Sequence, residues 1–407
     1  MAKTSLVLLW FIGSLSVCSV IYFLGLLIHL PAIFSFIISG IISVAGALGL
    51  QRDIKDDSLI NDKYFLKEIV LAIALAVLAF KCLQEAEKYG NWDAWSIWNL
   101  HARFLTSADH WQAMVQPLMA RSHPDYPLML PGINACGLRF SDHVLLVPFA
   151  VGLLFTYSVV GLTFSALANK NVIVGIASLA AFVFSDYYPS QGAAQYADIP
   201  LAFYYLATLV CLHHYELNSK AIYLAMATFF TACAVCTKNE GVLFALFVLL
   251  FYTRDIFRKK NIAGVIIAAF LPGLAWILFK LFYAPANDLM SQQGVPYWQR
   301  ITNIESSRII LDALWTNLKL HYPELLVAAV VSLICAVINR KILNKKMMLL
   351  LCTLLACQAT YLVTPYSLEW HLGTSQDRLV LQVFPAIIFV SGISLANVLQ
   401  RFKWMKI

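Results

Sequence analysis

Stretches of roughly 20 apolar residues recur along the whole chain, and they decide most of what it can become. A soluble core needs apolar faces, not repeated apolar segments. With 60% hydrophobic and only 13% charged residues among 407, and mean hydropathy +0.74, the chain reads as an all-α polytopic membrane protein. Runs of the required length give about twelve spans, near 5–28, 31–50, 66–83, 143–167, 172–185, 199–214, 220–236, 240–253, 262–283, 322–338, 346–364 and 378–397. The fifth and eighth are short for a bilayer, which marks them as tilted, half-buried or broken. Residues 1–407 form a single integral-membrane domain in this reading.

Lysine and arginine placement sets the orientation. With the N-terminus inside and 84–142 outside, the cytoplasmic side holds Lys3, Arg52, Lys55, Lys63, Lys67, Lys170, Lys220, Arg254, Arg258, Lys259, Lys260, Arg340, Lys341, Lys345, Lys346, Arg401, Lys403 and Lys406. That is 18 of 29, although the outer loops are longer, so both termini are expected in the cytoplasm. The formal charge of +7 then faces anionic headgroups and needs no nucleic acid. The first apolar run follows Lys3 but lacks a small-x-small cleavage site, so it reads as an uncleaved anchor. The nine cysteines fall in spans or at their ends. Cys233 and Cys236 form a CxxC without the second pair a zinc site needs, which reads as buried apolar cysteine.

The cytoplasmic loops (169–171, 216–220, 253–261, 339–346) are too short to hold a nucleotide-binding domain, and no Walker A or GxGxxG segment follows a strand. Polar mass concentrates outside, above all in 84–142, read as an extracytoplasmic catalytic loop with juxtamembrane helices. Segments 185–198, 284–321 and 365–377 and the turn Thr237–Gly241 share that side. Trp95, Trp98 and Leu105 lie close to one helical face, as in a helix resting among headgroups. Asn91 is a good N-cap, which puts Asp93 in the first turn, where the helix dipole favours a carboxylate.

Asp93 is the leading candidate for chemistry. It caps an interfacial helix on the structural account; on the functional one, Trp92 and Trp95 shield a general base from water. Glu85 and Glu87, beside Lys88, read as a solvated helix end. His123 and Asp125 sit between Pro124 and Pro127. Asp125 either closes an Asx turn on its own backbone or, with His123, faces Asp93 to orient an acceptor hydroxyl or hold a divalent ion. Asp198, before Pro200, is accounted for as an N-cap, with sugar contact by Tyr196 and Asp198 as the other reading. Lys238 and Glu240 lie between two spans and pair with one another or serve a function at membrane depth. Arg378 opens the last span and either snorkels or joins Lys238 in holding a lipid phosphate. His101, His110, His123, His143 and His371 form no HxxxH or HExxH pair, so no metal is assigned.

The order WDAWSIWNLHARF, HPDYPLMLPG, QYADIPLAFYYLA, TKNEGVLF and DRLVLQVFP, spread over 92–385, resembles bacterial membrane glycosyltransferases of the GT-C superfold. The similarity is to the protein-mannosyltransferase and aminoarabinose-transferase group, glycosyltransferase family 39-like. The resemblance implies an enzyme of the bacterial inner (plasma) membrane that takes a sugar from a polyprenyl phosphate on the outer face and passes it to a lipid, glycan or protein acceptor. It implies a catalytic acid in the first large outer loop, at Asp93, and cations for the lipid phosphate at Lys238 and Arg378. Two spans before the one leading into the loop, and no soluble C-terminal domain, depart from the pattern. A general-base, inverting transfer by Asp93 is thus expected, with His123, Asp125, Tyr196, Asp198 and Glu240 around sugar and acceptor. The alternatives are a transporter or flippase of a lipid-linked sugar, and a polysaccharide polymerase or ligase.

Overall fold

Every apolar run is helical in the computed structural model, which describes residues 3–54, 64–141, 143–258, 262–287, 297–339 and 344–402. The helices up to the first large polar loop are α1 (Lys3–Leu27), α2 (Ala32–Ile54) and α3 (Tyr64–Gln84), and the loop contains α4 (Asn99–Leu105) and α5 (Met129–Leu138). Then come α6 (Leu146–Ala168), α7 (Val172–Val183), α8 (Tyr187–Ala193), α9 (Asp198–Asn218), α10 (Ala221–Val235), α11 (Glu240–Ile256) and α12 (Ile262–Phe282). The chain continues with α13 (Tyr297–Ile301), α14 (Ile304–His321), α15 (Pro323–Asn339), α16 (Lys345–Ala359) and α17 (Leu368–Arg401). No strand occurs among the described residues. Lys55, Lys63, Lys259, Lys260, Arg340, Lys341, Lys403, Lys406 and part of the outer segment 284–321 lie outside them.

Six helical segments are long and apolar enough to cross a membrane: α1, α2 over Ala32–Gly49, α6, α12, Lys345–Val363 and α17. Two bent pairs raise this to eight if each counts once: α7 with α8, 69° apart, and α14 with α15, 99° apart. The other predicted runs fall short for physical reasons. With 15 and 17 residues, α10 and α11 are under the roughly 20 that a bilayer asks for. α3 bears Lys67, Glu68 and Lys81. α9 has 21 residues but carries Tyr204, Tyr205, Thr208 and His213, all buried. It sits inside the bundle against α6, α10 and α17, so its side chains meet protein instead of lipid. The fifth run is short, as expected, at 12 residues, and breaks before α8; the eighth is unbroken.

Polar contacts collect at the two ends of the bundle. At one end Lys346 pairs with Glu216, Tyr252 donates to the same carboxylate at 2.6 Å, Lys345 approaches Asp255 at 3.7 Å, and Lys67 donates to the Ala168 carbonyl at 3.3 Å. The opposite end holds the loop between α3 and α6, and it is pinned. The Met129 N–H donates to the Cys236 carbonyl at 2.8 Å, Ser19 Oγ to the Met129 carbonyl at 2.9 Å, and Tyr22 Oη to the Leu105 carbonyl at 2.8 Å. Gly90 turns the chain with φ 72°, and a Cβ there would lie 2.6 Å from Ala94 Cβ and 3.0 Å from the Ala194 carbonyl oxygen. Only glycine satisfies both demands.

Several local expectations are corrected here. Trp98 and Leu105 do not face headgroups: both are buried, whereas Trp92 and Trp95 are 68% and 46% exposed and pack edge to face at 4.6 Å. The Asn91 side chain caps nothing; its carbonyl accepts from the N–H groups of Ala94 and Trp95, and Ala94–Trp98 is a π-helical turn leading into α4. Asp198 is the first residue of α9, not its cap. Arg378 does not open the last helix, which starts ten residues earlier at Leu368. At 34 residues and 1.5 Å per residue, α17 is about 50 Å long, well beyond a hydrocarbon core of about 30 Å. Its first turns form a wall.

Candidate functional site

That wall, the π-helical turn, the α10–α11 turn and the Pro-bounded turn at 123–127 enclose a cavity of about 930 Å³. Asp93, Tyr196, Lys238, Glu240 and Arg378 line it, with His123 and Tyr126 across from the start of α17. Arg121, Asp377 and His371 face the same space. Tyr361, Tyr366 and Trp370 supply aromatic surface.

Five charged side chains from four segments form an alternating row. Arg378 Nη1 donates to Asp93 Oδ2 at 2.5 Å and lies 3.8 Å from Asp198 Oδ2. Lys238 Nζ lies 2.9 Å from Asp198 Oδ1 and 3.0 Å from Glu240 Oε1. Gln382 Nε2 adds a hydrogen bond to the same Asp198 Oδ1 at 2.8 Å, whereas the buried Oδ2 accepts no hydrogen bond among the described residues. Asp198 is 1% and Lys238 7% exposed, so these charges survive burial only as partners of one another. Burial alone would discharge Lys238, but Asp198 and Glu240 outweigh it and hold its ammonium above the usual lysine range. Three carboxylates against two cations leave one net negative charge.

Arg378 is the most engaged member. Its Nη2 donates to the Thr374 carbonyl at 3.0 Å, its guanidinium sits 5.0 Å from the Tyr196 ring centroid, and its buried Nε has no acceptor. Tyr196 Oη accepts from the Asp93 N–H at 3.4 Å. Burial, with Asp93 alongside, pushes this phenol up to about 12, so it keeps its proton and remains a donor.

Asp125 behaves differently from either expectation. It closes no Asx turn and does not line the cavity. Only 3% exposed, it accepts from Asn239 Nδ2 at 3.0 Å and Asn287 Nδ2 at 2.7 Å and lies 3.7 Å from Lys280 Nζ. It latches the 123–127 turn to the residue that caps α11, to α12 and to Asn287 beyond it. His123, in the left-handed region at φ 48°, stacks on Tyr126 at 4.8 Å, and Tyr126 stacks on Trp98 at 5.5 Å. That three-ring ladder carries the 123–127 turn to the segment bearing Asp93.

Under the ladder lies His101, wholly buried. Ser122 Oγ gives its proton to the Met119 carbonyl at 2.8 Å, so His101 Nε2–H is the donor in the 3.2 Å contact between them. Nδ1 is then the bare nitrogen, and it has no partner. Burial first, then nearby His123, lowers this imidazole from 6.5 to about 4. Between those values the unfolded chain binds a proton that the folded one refuses. The contribution of His101 to stability is therefore fully present above pH 6.5 and falls as pH drops toward 4, by up to about 3 kcal/mol. The apparent Tm in detergent is expected to decline from pH 7 to 5, and His101→Gln to show a shallower decline; equal slopes would remove His101 as the cause.

Arg121, Asp377 and Gln382 went unnoticed in the sequence. Arg121 is an exposed cation on a 3₁₀ turn. Asp377 accepts from Tyr187 Oη at 2.6 Å. No local pattern marks either, because both gain meaning only from what stands opposite. Among the described residues no group of three or more His, Cys, Asp or Glu is placed to hold a metal ion. Compared with known proteins, the chain matches no protein-family model, no curated protein and no solved structure.

Proposed function

We propose that the protein is an integral-membrane glycosyltransferase of GT-C type. It moves a sugar from a polyprenyl-phosphate donor to an acceptor hydroxyl on the outer face of a bacterial plasma membrane. Twelve crossings with both termini in the cytoplasm belong to the same reading, the shorter helices crossing where other helices surround them. The observation that carries it is the meeting of Asp93 and Arg378 in the wall of one large cavity, at the end of the bundle away from Lys345 and Lys346.

The charge balance shapes the mechanism. An anionic donor meets a row with one net negative charge, so the phosphate must take Arg378 from Asp93. Arg378 has an unused Nε–H for it, and a planar guanidinium suits a phosphate's paired oxygens. Lys238, matched by two carboxylates, holds Asp198 and Glu240 in place, while exposed Arg121 meets the donor at the rim. Released from Arg378, the Asp93 carboxylate takes the proton of the acceptor hydroxyl as its oxygen attacks the anomeric carbon. The bond from that carbon to the phosphate oxygen breaks, the electron pair leaves with the polyprenyl phosphate, and the configuration inverts. Tyr196 and His123 lie where they can contact sugar or acceptor.

The test is the fate of the donor. Proteoliposomes containing the protein, a polyprenyl-phosphate sugar and an acceptor-bearing membrane extract are expected to yield free polyprenyl phosphate and a glycosylated product by mass spectrometry. An intact donor moved to the other leaflet would make the protein a transporter. A lengthened saccharide still on its lipid would make it a polymerase.

A further inference from the structure

A second concavity, of about 470 Å³, lies on the far side of the turn that bears Asp93. The two spaces share one thin wall. Tyr196 faces the catalytic cavity while its neighbour Gln195 faces the groove, and Trp92 and Asp93 face the cavity while Trp95 and Asn99 face the groove. The groove's charges differ in kind from those of the cavity. Lys88 and Arg103 line it, and neither has a carboxylate partner among the described residues; the Lys88 ammonium only rests over the Tyr89 ring at 5.2 Å.

A third donor stands at the floor. Gln195 is 4% exposed and held at φ 62°, a conformation that a glutamine seldom adopts and that marks functional positions. Its Oε1 accepts from Asn99 Nδ2 at 2.9 Å, and Asn99 Oδ1 in turn accepts from Asn134 Nδ2 at 3.3 Å. This amide relay fixes the orientation of Gln195 and leaves its Nε2 hydrogens without an acceptor among the described residues. The remaining walls are apolar: Leu100, Val144 and Leu145, with the half-exposed rings of Tyr89 and Trp95. Val144 and Leu145 immediately precede α6, one of the six membrane-length segments, so the groove opens at the depth where a bilayer's headgroups begin.

We infer that this groove is a binding site for an anionic lipid of the bilayer, its phosphate held by Lys88, Arg103 and the Gln195 amide and its chains lying along Leu100, Val144 and Leu145. Two cations without an ion-pair partner and one unsatisfied donor among the described residues, beside hydrocarbon-compatible walls, match a phosphodiester headgroup in charge, hydrogen bonding and polarity. The site does not depend on glycosyl transfer, and its test does not read it.

The protein is reconstituted into nanodiscs of mixed phosphatidylglycerol and phosphatidylcholine, released into mild detergent, and its retained lipid counted by native mass spectrometry. Wild type is expected to retain phosphatidylglycerol in preference to phosphatidylcholine. Lys88→Gln/Arg103→Gln is expected to lose that preference by roughly tenfold or more, and Lys88→Arg/Arg103→Lys to keep it. Equal retention of the two lipids by wild type, or an unchanged preference in the glutamine variant, overturns the site. A second measurement is independent of how well the double variant folds. Phosphatidylglycerol brominated in its chains is expected to quench tryptophan fluorescence more than brominated phosphatidylcholine, with Trp95→Phe abolishing the difference; no difference in wild type overturns the proposal as well.

Discussion

Asp93→Asn is expected to reduce sugar transfer by about 10²- to 10⁴-fold, with the loss in kcat and not in donor KM. Asparagine has the shape of aspartate but cannot accept the hydroxyl proton. In the proposed mechanism Asp93 competes with the donor phosphate for Arg378, its partner at 2.5 Å. Removing its charge therefore eases donor binding while disabling the chemistry, and KM is expected to hold or fall. A merely structural aspartate would give another pattern: loss of folded protein, or a raised KM with kcat retained. Near wild-type turnover by purified Asp93→Asn would falsify the assignment. Asp93→Glu, which restores the carboxylate one methylene out of place, is expected to recover part of the rate.

Lys238→Met is expected to destabilise the folded protein by about 3–5 kcal/mol, the range found when one partner of a buried ion pair is removed. The ammonium sits 2.9 Å from Asp198 and 3.0 Å from Glu240. Without it those carboxylates face each other with only Gln382 and Arg378, 3.8 Å from Asp198, to moderate the repulsion. Thermal unfolding in detergent is the measurement, read as a large drop in apparent Tm. Combining Lys238→Met with Asp198→Asn is expected to recover part of the loss, because the second change removes the stranded charge. If Lys238→Met alone left Tm within a degree or two, the row would be a surface network relaxed by water, contrary to the burial of both Lys238 and Asp198.

The helices were legible because apolar run length is a local property, and so were the short fifth run and the burial of Cys233 and Cys236. Asp93, Tyr196, Lys238, Glu240 and Arg378 were nameable because a charged or polar group beside an apolar segment is conspicuous. Their grouping into one row was not. Asp198 and Arg378 both had adequate local explanations, a helix cap and a snorkelling cation, and both explanations failed. Apart from the Lys238–Glu240 pair, the charges of the row are matched by residues tens to hundreds of positions away, as in the 285-residue separation of Arg378 from Asp93. Asp125 misled in the same manner: Pro124 and Pro127 suggest a self-contained turn, while its partners come from the cap of α11, from α12 and beyond.

The sequence by itself determined that this chain is helical, that several of its helices suit a bilayer, and which side chains are too polar for their surroundings to be idle. Burial of α9 and the joining of Asp93, Arg378, Asp198, Lys238 and Glu240 into one row were decided only by tertiary structure. The physical reason is that hydrophobic periodicity acts over a few turns of one helix. An ion pair in a low-dielectric interior is stable only where two distant segments bring opposite charges within a few ångströms.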